Sequence, residues 1–172
     1  MAAPLDLETL TLPERIEIDA DLVLRALTEE DAPGLFAAVD RAREPLGRIL
    51  PWVHATHSPE DSLAFIRSHG RLARALVVDG EIAGCLGINA LDPRTGRVEF
   101  GYWLEPRAQG RGAMTRACRA LFRAGGFQEL ELFIPVGNEP SLAVGRRLGL
   151  TETGETVERH RHTLHVLRGV PV

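Results

Sequence analysis

The 172-residue chain contains no lysine, so all 20 of its basic residues are arginine. This absence excludes a lysine Schiff base and a Walker-type phosphate site, because both need a lysine ammonium or amine. The formal net charge is −4, which argues against general nucleic-acid binding, since that activity normally needs a basic surface. A mildly acidic chain is weakly suited to a cationic substrate.

Long apolar runs and cysteines are also scarce. No run approaches the ~20 residues that span a bilayer, and the opening residues MAAPLDLETL lack the basic and apolar regions of a signal peptide. We therefore expect a cytoplasmic protein, with no membrane partner, that forms one domain over residues 1–172. Cys85 and Cys118 cannot form a disulfide framework, and their apolar surroundings are typical of core residues.

Hydrophobic patterning and turn residues predict the element order β-α-α-β-β-β-α-β-α-β-β, a mixed α/β sheet packed with helices. The segments TEED (28–31) and SPED (58–61) have the form of helix capping boxes. Asp79-Gly80 is a strong signal for a tight hairpin. Strands are predicted at 22–27, 75–78, 81–91, 97–104, 129–136, 150–158 and 161–167, and helices at 28–43, 59–70, 113–124 and 138–148.

The stretch RAQGRGAMT (107–115) brings two glycines and two arginines to the start of a predicted helix. The first N–H groups of a helix have no internal partner and lie at the positive end of the helix dipole. Gly110 and Gly112 lack the Cβ atoms that would hold a ligand away, while Arg111 and Arg107 add positive charge. This order of strand, loop and helix predicts a pyrophosphate site. The alternative is a tight turn with two solvated arginines.

The segment RAQGRG also matches the Arg/Gln-x-x-Gly-x-Gly/Ala signature of the GCN5-related N-acetyltransferase (GNAT) superfamily. The longer stretches at 22–39, 50–66, 98–122 and 136–150 resemble the RimL/RimJ ribosomal-protein N-terminal acetyltransferase branch. The resemblance covers about residues 12 to 168. It implies a GNAT fold, in which a mostly antiparallel central sheet is splayed between predicted strands 4 and 5 (97–104 and 129–136), with helices on both faces.

The resemblance implies a transfer of an acetyl group from acetyl-CoA to a primary amine, without a metal. The acceptor that it suggests is the α-amine of a protein N-terminus. Alternatives are a small amine such as a polyamine, amino acid or antibiotic, a longer acyl donor, and a non-catalytic acyl-CoA-binding sensor module. RimL-like proteins are commonly homodimers, and we expect a homodimer here.

The same resemblance implies where the ligands lie. The diphosphate is expected on the main-chain amides from Gly110 to Thr115, and the pantetheine arm on the strand end from Trp103 to Glu105. Trp52 is expected on the acceptor side of the cleft. The expected cofactor-binding residues are Trp103, Leu104, Gln109, Gly110, Arg111, Gly112, Ala113, Met114, Thr115 and Asn138.

Direct transfer needs a neutral amine and a proton for the leaving thiolate. Since an α-amine has an ordinary pKa near ~8, a modest proton acceptor suffices. Glu99 is the expected base, with a structural ion pair as its alternative. Ser141 in NEPS, which resembles the Asn-x-x-Ser of the RimL-like branch, is the expected acid, with an ordinary first-turn serine as its alternative. Strand alternation places Tyr102, the only tyrosine, opposite Glu99 and therefore in the core.

Three further features have weaker functional interpretations. The histidines at 160, 162 and 165 resemble a metal tract, but strand alternation turns the third away and no cysteine or carboxylate completes a site. A covalent route through Cys118 lacks a histidine neighbour to activate the thiol. Gly145 costs its helix up to ~1 kcal/mol against alanine, and close approach of the cofactor or of a strand would explain it.

Overall fold

The computed structural model describes residues 6–172, so the first five residues of the segment tested for a signal peptide lie outside the described residues. The strands are β1 (Arg15–Glu17), β2 (Leu22–Ala26), β3 (Ala73–Val78), β4 (Glu81–Asp92), β5 (Arg97–Leu104), β6 (Glu129–Pro135), β7 (Thr151–Arg159) and β8 (His162–Gly169). The helices are α1 (Ala32–Arg41), α2 (Arg43–Gly47), α3 (Pro59–His69), α4 (Ala113–Gly125) and α5 (Glu139–Arg147). All eight strands form one sheet in the order β1-β2-β3-β4-β5-β6-β8-β7.

The predicted strands and helices are all present, and the sequence missed the strand β1 and the short helix α2. This strand has three residues, which is too short for a recognisable alternation. The first helix starts later than predicted, because Glu29–Asp31 form a 3-10 turn whose capping box is made by Thr28 and Asp31. The second capping box is as predicted, since Ser58 Oγ accepts a hydrogen bond from Asp61 N at 3.4 Å.

The sheet opens between β5 and β6, as the resemblance implied. These strands run parallel, while every other neighbouring pair in the described sheet is antiparallel. Their pairing is confined to residues 97–99 of β5 and 129–131 of β6. Beyond this short ladder the two strands diverge, so the main chain of residues 100–104 has no strand partner on the β6 side. The divergence creates the cleft that holds the candidate site.

Helices cover both faces of the sheet, and β5 contributes alternate side chains to two cores. Phe100 packs against Phe122 of α4 with ring centroids 4.7 Å apart, in the core that α4 and α5 cover. Trp103 belongs to the other core, with Val39 of α1 and Ile66 of α3. The predicted alternation of β5 is therefore confirmed, and it assigns Glu99 and Gly101 to the face of Trp103.

A strand explains the glycine inside α5. A Cβ atom on Gly145 would lie 2.6 Å from Cδ2 of Leu167 in β8, so a larger residue would require the Leu167 side chain or the helix to shift. Of the two explanations that the sequence left open, the structure supports close approach of a strand. Among residues 6–172, none of the helices is both long enough and apolar enough to cross a membrane.

Candidate active site

A cleft of about 1820 Å³ lies where β5 and β6 diverge. It extends from the helices α1–α3 on one side to the N-terminus of α4 on the other. Most of the site residues predicted from the sequence line this cleft; Glu105 and Arg107 do not. Those that line it are Trp52, Glu99, Trp103, Leu104, Gln109, Gly110, Arg111, Gly112, Ala113, Met114, Thr115, Asn138 and Ser141.

The N-terminus of α4 presents unused main-chain donors to the cleft. Gly110 and Gly112 have φ values of +78° and +69°, a region that L-residues with side chains rarely adopt. A Cβ atom at either position would meet no atom within 4 Å, so the space above the loop is open. Within the described residues, the N–H groups from Gly110 to Thr115 donate no hydrogen bond to the protein. The loop can therefore approach an anion closely.

The hydroxyl of Thr115 gives independent support for a polar ligand at this helix end. Thr115 is 4% exposed, and its hydroxyl has no hydrogen-bond partner among residues 6–172. A buried hydroxyl without a partner costs free energy that a ligand oxygen would recover. The residue lines the cleft, so the diphosphate of a nucleotide cofactor fits this position by its chemistry.

The arginines of the loop differ in their freedom to bind a phosphate. Arg111 is exposed; its Nη2 donates to the main-chain oxygen of Arg107 at 3.0 Å, and its Nη1 lies 3.6 Å from Oδ2 of Asp79, which is a loose pair between two exposed side chains. The guanidinium of Arg107 instead pairs with two carboxylates, that of Glu105 and that of Glu81 at 3.0 Å. The expectation that Arg107 adds free charge to the phosphate site is therefore wrong, because these carboxylates already neutralise it.

Glu105 fixes the start of the loop that leads from β5 to α4 (residues 105–112), a role that the sequence did not reveal. It is 1% exposed, and its carboxylate also accepts a hydrogen bond from Nε of Arg41 in α1 at 2.8 Å. A buried carboxylate is stable only when it is paired in this way. Because Arg41 and Arg107 both pair with this carboxylate, Glu105 connects the helix α1 to the loop before α4.

At the end of β5, some main-chain N–H and C=O groups face the gap between β5 and β6. The N–H of Glu105 donates to Ala83 O at 2.8 Å, which extends the ladder with β4. Since main-chain groups alternate sides along a strand, those of Trp103 also face β4, while those of Tyr102 and Leu104 face the gap. The oxygen of Leu104 accepts a hydrogen bond from Nε2 of Gln109 at 2.7 Å, which ties the loop to the strand.

Glu99 lies on the face of the sheet that carries Trp103, and it forms an ion pair. Its Oε1 accepts a hydrogen bond from Nη1 of Arg159 at 2.9 Å, and the Glu99 side chain is 17% exposed. The guanidinium carbon of Arg159 also lies 3.9 Å from the centroid of the Phe133 ring. The structure thus shows the ion pair that was the alternative interpretation of Glu99. Glu99 therefore places a half-buried, paired carboxylate at the cleft.

Ser141 lies in the first turn of α5, where two neighbours orient it. Oδ1 of Asn138 accepts a hydrogen bond from Ser141 N at 3.4 Å, so Asn138 caps the helix. The hydroxyl of Tyr102 donates to Ser141 Oγ at 3.2 Å. Burial raises the pKa of Tyr102, which keeps its phenol protonated. Tyr102 packs against the core as predicted, but it also lines the cleft, and sequence reasoning missed its contact with Ser141.

Aromatic side chains form the opposite wall of the cleft. Trp52 lies in a 3-10 turn over Pro51–Ala55 and is 40% exposed. Its ring packs against that of Trp103, with the centroids 5.9 Å apart and the planes tilted by 57°. An exposed indole supported by a buried one offers a rigid apolar surface to an acceptor.

The remaining polar groups do not form a second centre. In the described part of the chain, no three His, Cys, Asp or Glu side chains are grouped closely enough for a metal ion. Burial raises the pKa of Cys85 to about 12 and also raises that of Cys118. Because a thiolate is the reactive form, neither thiol is activated for a covalent acyl route.

The comparisons with known proteins agree with this geometry. The family described as acetyltransferase (GNAT) domain matches residues 21–151. The chain is 29% identical over 152 residues to a putative ribosomal N-acetyltransferase, YdaF, of Bacillus subtilis, covering 81% of this chain and 82% of that protein. It is 25% identical over 154 residues to a ribosomal-protein-serine acetyltransferase of Escherichia coli, covering 83% and 86%.

A solved structure has a similar fold. It is that of RimL, a ribosomal L7/L12 alpha-N-protein acetyltransferase, in complex with coenzyme A. It superposes with a TM-score of 0.82 at 26% identity, covering 92% of this chain and 98% of that one. With the divergent strands and the glycine loop before α4, the family match shows that this chain belongs to the GNAT acetyltransferase family.

Proposed function

We propose that the protein transfers the acetyl group of acetyl-CoA directly to the α-amine of a protein N-terminus. The observation that carries the proposal is the set of unused donors at the start of α4, which includes the buried Thr115 hydroxyl. Of the similar proteins named above, one is described as a putative ribosomal N-acetyltransferase and two as acetyltransferases of ribosomal proteins, and one of these was solved with coenzyme A. Their activities support the same donor and the same class of acceptor here.

In this proposal the cofactor follows the gap in the sheet. The diphosphate binds the N–H groups from Gly110 to Thr115, and Arg111 adds charge at the rim. The pantetheine arm pairs with the main-chain groups of β5 that face the gap, which are those of Tyr102 and the N–H of Leu104, while Trp103 contributes its indole to the wall. Gln109 positions the loop through its bond to Leu104. Asn138, Ala113 and Met114 line the passage between these regions.

The reaction then needs two proton movements. As the acceptor nitrogen attacks the thioester carbonyl, a C–N bond forms and the C–S bond breaks, and the amine proton passes to Glu99 directly or through water. The thiolate of CoA takes a proton from Ser141. The hydrogen bond from Tyr102 stabilises the Ser141 oxygen as that proton leaves. The contribution of Arg159 is to hold the Glu99 carboxylate in place.

The charges that line the cleft favour a single amine over a polyamine. Among the described residues its only carboxylates are Asp61 and Glu99. Oδ2 of Asp61 already accepts hydrogen bonds from the main-chain nitrogens of His57 and Ser58, and Glu99 pairs with Arg159. A polycationic substrate would find no free carboxylate to pair with. An N-terminal amine followed by a peptide needs one proton acceptor and an apolar surface, which Trp52 supplies.

A free-thiol assay tests the proposal, using acetyl-CoA with N-terminal peptides, single amino acids and a polyamine as acceptors. We expect release of CoA with peptides and little with the polyamine. No release with any acceptor, by protein that binds CoA, would refute the proposed activity. The homodimer that the resemblance implies and the cytoplasmic location that the N-terminal residues predict both stay predictions, and sedimentation of the free protein would test the first.

A further inference from the structure

The tip of the β7–β8 hairpin has an unusual choice of residues. Arg159 pairs with His162, so the loop has two residues, His160 and Arg161. Their φ values are +50° and +67°, as a type I′ turn requires, and such turns strongly prefer Asn-Gly or Asp-Gly. Histidine and arginine have side chains that strain this conformation.

Another hairpin of this chain has the residues that this type of turn prefers. Between β3 and β4 the two loop residues are Asp79 and Gly80, with φ values of +52° and +83°. That hairpin has the preferred Asp-Gly sequence and lies outside the cleft lining. The strained pair, His160 and Arg161, therefore occurs in the hairpin beside the candidate site. Backbone strain is commonly retained at such a site when the side chains serve a function.

The strained turn borders the acceptor side of the cleft. His160 and His162 both line it, and Arg161 lies between them and is exposed. In residues 6–172 no carboxylate pairs with any of these three side chains. Glu99 is held by Arg159, and Glu158 accepts a hydrogen bond from the Thr163 hydroxyl at 2.5 Å. The tip thus presents N–H donors and a guanidinium without an anionic partner.

We propose that the His160–Arg161 turn binds the acceptor polypeptide and selects acidic residues just after its N-terminal amine. This inference rests on the proposed function and adds a sequence preference to it. The amine must reach the face of the sheet that carries Glu99, so the chain that follows leaves past the hairpin tip. A carboxylate there pairs with Arg161 and accepts hydrogen bonds from the imidazoles. A neutral or basic residue would leave the tip without a partner.

The test compares three peptides that share a serine N-terminus and differ only in having aspartate, asparagine or lysine at the next few positions. We expect kcat/KM to be about three- to tenfold higher for the aspartate peptide than for the asparagine peptide, and lowest for the lysine peptide. The preference should shrink as salt is added, because exposed charge pairs are screened over about 8–10 Å.

A variant with the preferred turn sequence distinguishes a loss of peptide recognition from a loss of stability. Replacing the tip by its preferred sequence, His160→Asn with Arg161→Gly, removes the His160 imidazole and the Arg161 guanidinium and relieves the strain. The variant should unfold at higher denaturant concentration than the wild type, and its kcat/KM ratio between aspartate and asparagine peptides should fall to about one. Arg94→Asn is the matched control, since Arg94 is an exposed arginine in the β4–β5 turn outside the cleft lining. It should keep the wild-type ratio.

Equal rates for the aspartate and asparagine peptides, or an aspartate preference that persists in the double variant, would overturn the inference while leaving the acetyltransferase activity intact. If no peptide is acetylated, the proposed function fails instead. In that case binding of the same labelled peptides to CoA-loaded protein still decides the inference. Tighter binding of the aspartate peptide, lost in the double variant, supports it, and equal binding of all three refutes it.

Discussion

The hydroxyl of Tyr102 lies 3.2 Å from the hydroxyl oxygen of Ser141 and donates a hydrogen bond to it. The two residues are 39 positions apart in the chain, and they meet because α5 returns to the face of β5 that carries Tyr102. The Tyr102 phenol stays protonated because burial raises its pKa. The proton of Ser141 is therefore directed away from Tyr102 and is available to a leaving group in the cleft.

Removing the serine hydroxyl tests this relationship. Ser141→Ala should lower kcat by roughly 10²-fold, the lower range for a lost proton donor, with little change in CoA affinity. Tyr102→Phe should have a smaller effect, and the double variant should be no slower than Ser141→Ala alone, since both changes remove one network. Steady-state kinetics with calorimetry of CoA binding measures both quantities. Full activity of Ser141→Ala would exclude the serine from the reaction.

Two glycines at opposite ends of α4 allow the role of the loop before this helix to be tested against a matched control. Gly112 and Gly126 have φ values of +69° and +65°, and a Cβ atom would meet no neighbour at either. Replacing either by alanine should cost about 1 kcal/mol of stability, because both adopt the left-handed conformation. Only Gly112→Ala should weaken CoA binding, by about tenfold or more. Equal CoA affinities of the two variants would show that the loop does not hold the cofactor.

The unpartnered hydroxyl of Thr115 predicts opposite effects on stability and binding. Thr115→Val removes a buried polar group without a partner, so the free protein should be as stable as the wild type or more stable by about 1 kcal/mol. CoA affinity should fall by about fivefold or more, because the ligand loses a hydrogen bond. Denaturant unfolding and calorimetry check the two effects. A loss of stability without a change in affinity would assign the hydroxyl to the fold alone.

Variants of the ion pair between Glu99 and Arg159 distinguish a catalytic role of the carboxylate from a structural one. If Glu99 accepts the amine proton, Glu99→Gln should lower kcat/KM by about 10²-fold or more and leave CoA affinity unchanged. The double variant Glu99→Gln with Arg159→Gln removes the unpaired guanidinium that the single change leaves behind. Recovery of activity in the double variant would show that the carboxylate serves only as the partner of Arg159.

The two cysteines predict a loss of stability at alkaline pH. Burial raises the pKa of Cys85 to about 12 and raises that of Cys118, while an unfolded cysteine has a pKa near ~8.5. Their stabilisation is therefore complete below about pH 8.5 and is lost as pH rises toward the folded pKa values, by about 1.4 kcal/mol per unit for each thiol. Denaturant unfolding between neutral and alkaline pH measures this slope. Replacing both cysteines by alanine should flatten it, and an unchanged slope would contradict the assignment.

The same burial makes the free-thiol assay usable with the native protein. Both cysteines are buried, so a thiol reagent should detect only released CoA under native conditions and should react with both cysteines after denaturation. Rapid reaction of the folded protein would show that one of them is accessible.

Local sequence signals predicted most of the fold and the conformation of the glycine loop before α4. The capping box at Ser58, the Asp79-Gly80 turn and the glycines before α4 each specify a backbone conformation through a few neighbouring residues. The alternation along β5 assigned Phe100 and Trp103 to opposite cores. These features need no information about distant parts of the chain, so the sequence alone reveals them.

The side-chain partners at the site could not be predicted in this way. The contact between Arg159 and Glu99 joins positions 60 residues apart, and that between Arg41 and Glu105 joins positions 64 apart. Such pairs depend on how β7 and α1 pack on the sheet, which no local pattern encodes. The sequence could therefore identify the titratable groups at the cleft but not which of them are already paired.

The most direct test of the account is a crystal structure of the protein with coenzyme A. We predict that the diphosphate oxygens lie within hydrogen-bond distance of the N–H groups between Gly110 and Thr115, with the Thr115 hydroxyl as a further donor and the pantetheine arm between β5 and β6. A nucleotide bound elsewhere, or a helix terminus that stays free of phosphate in the complex, would contradict it.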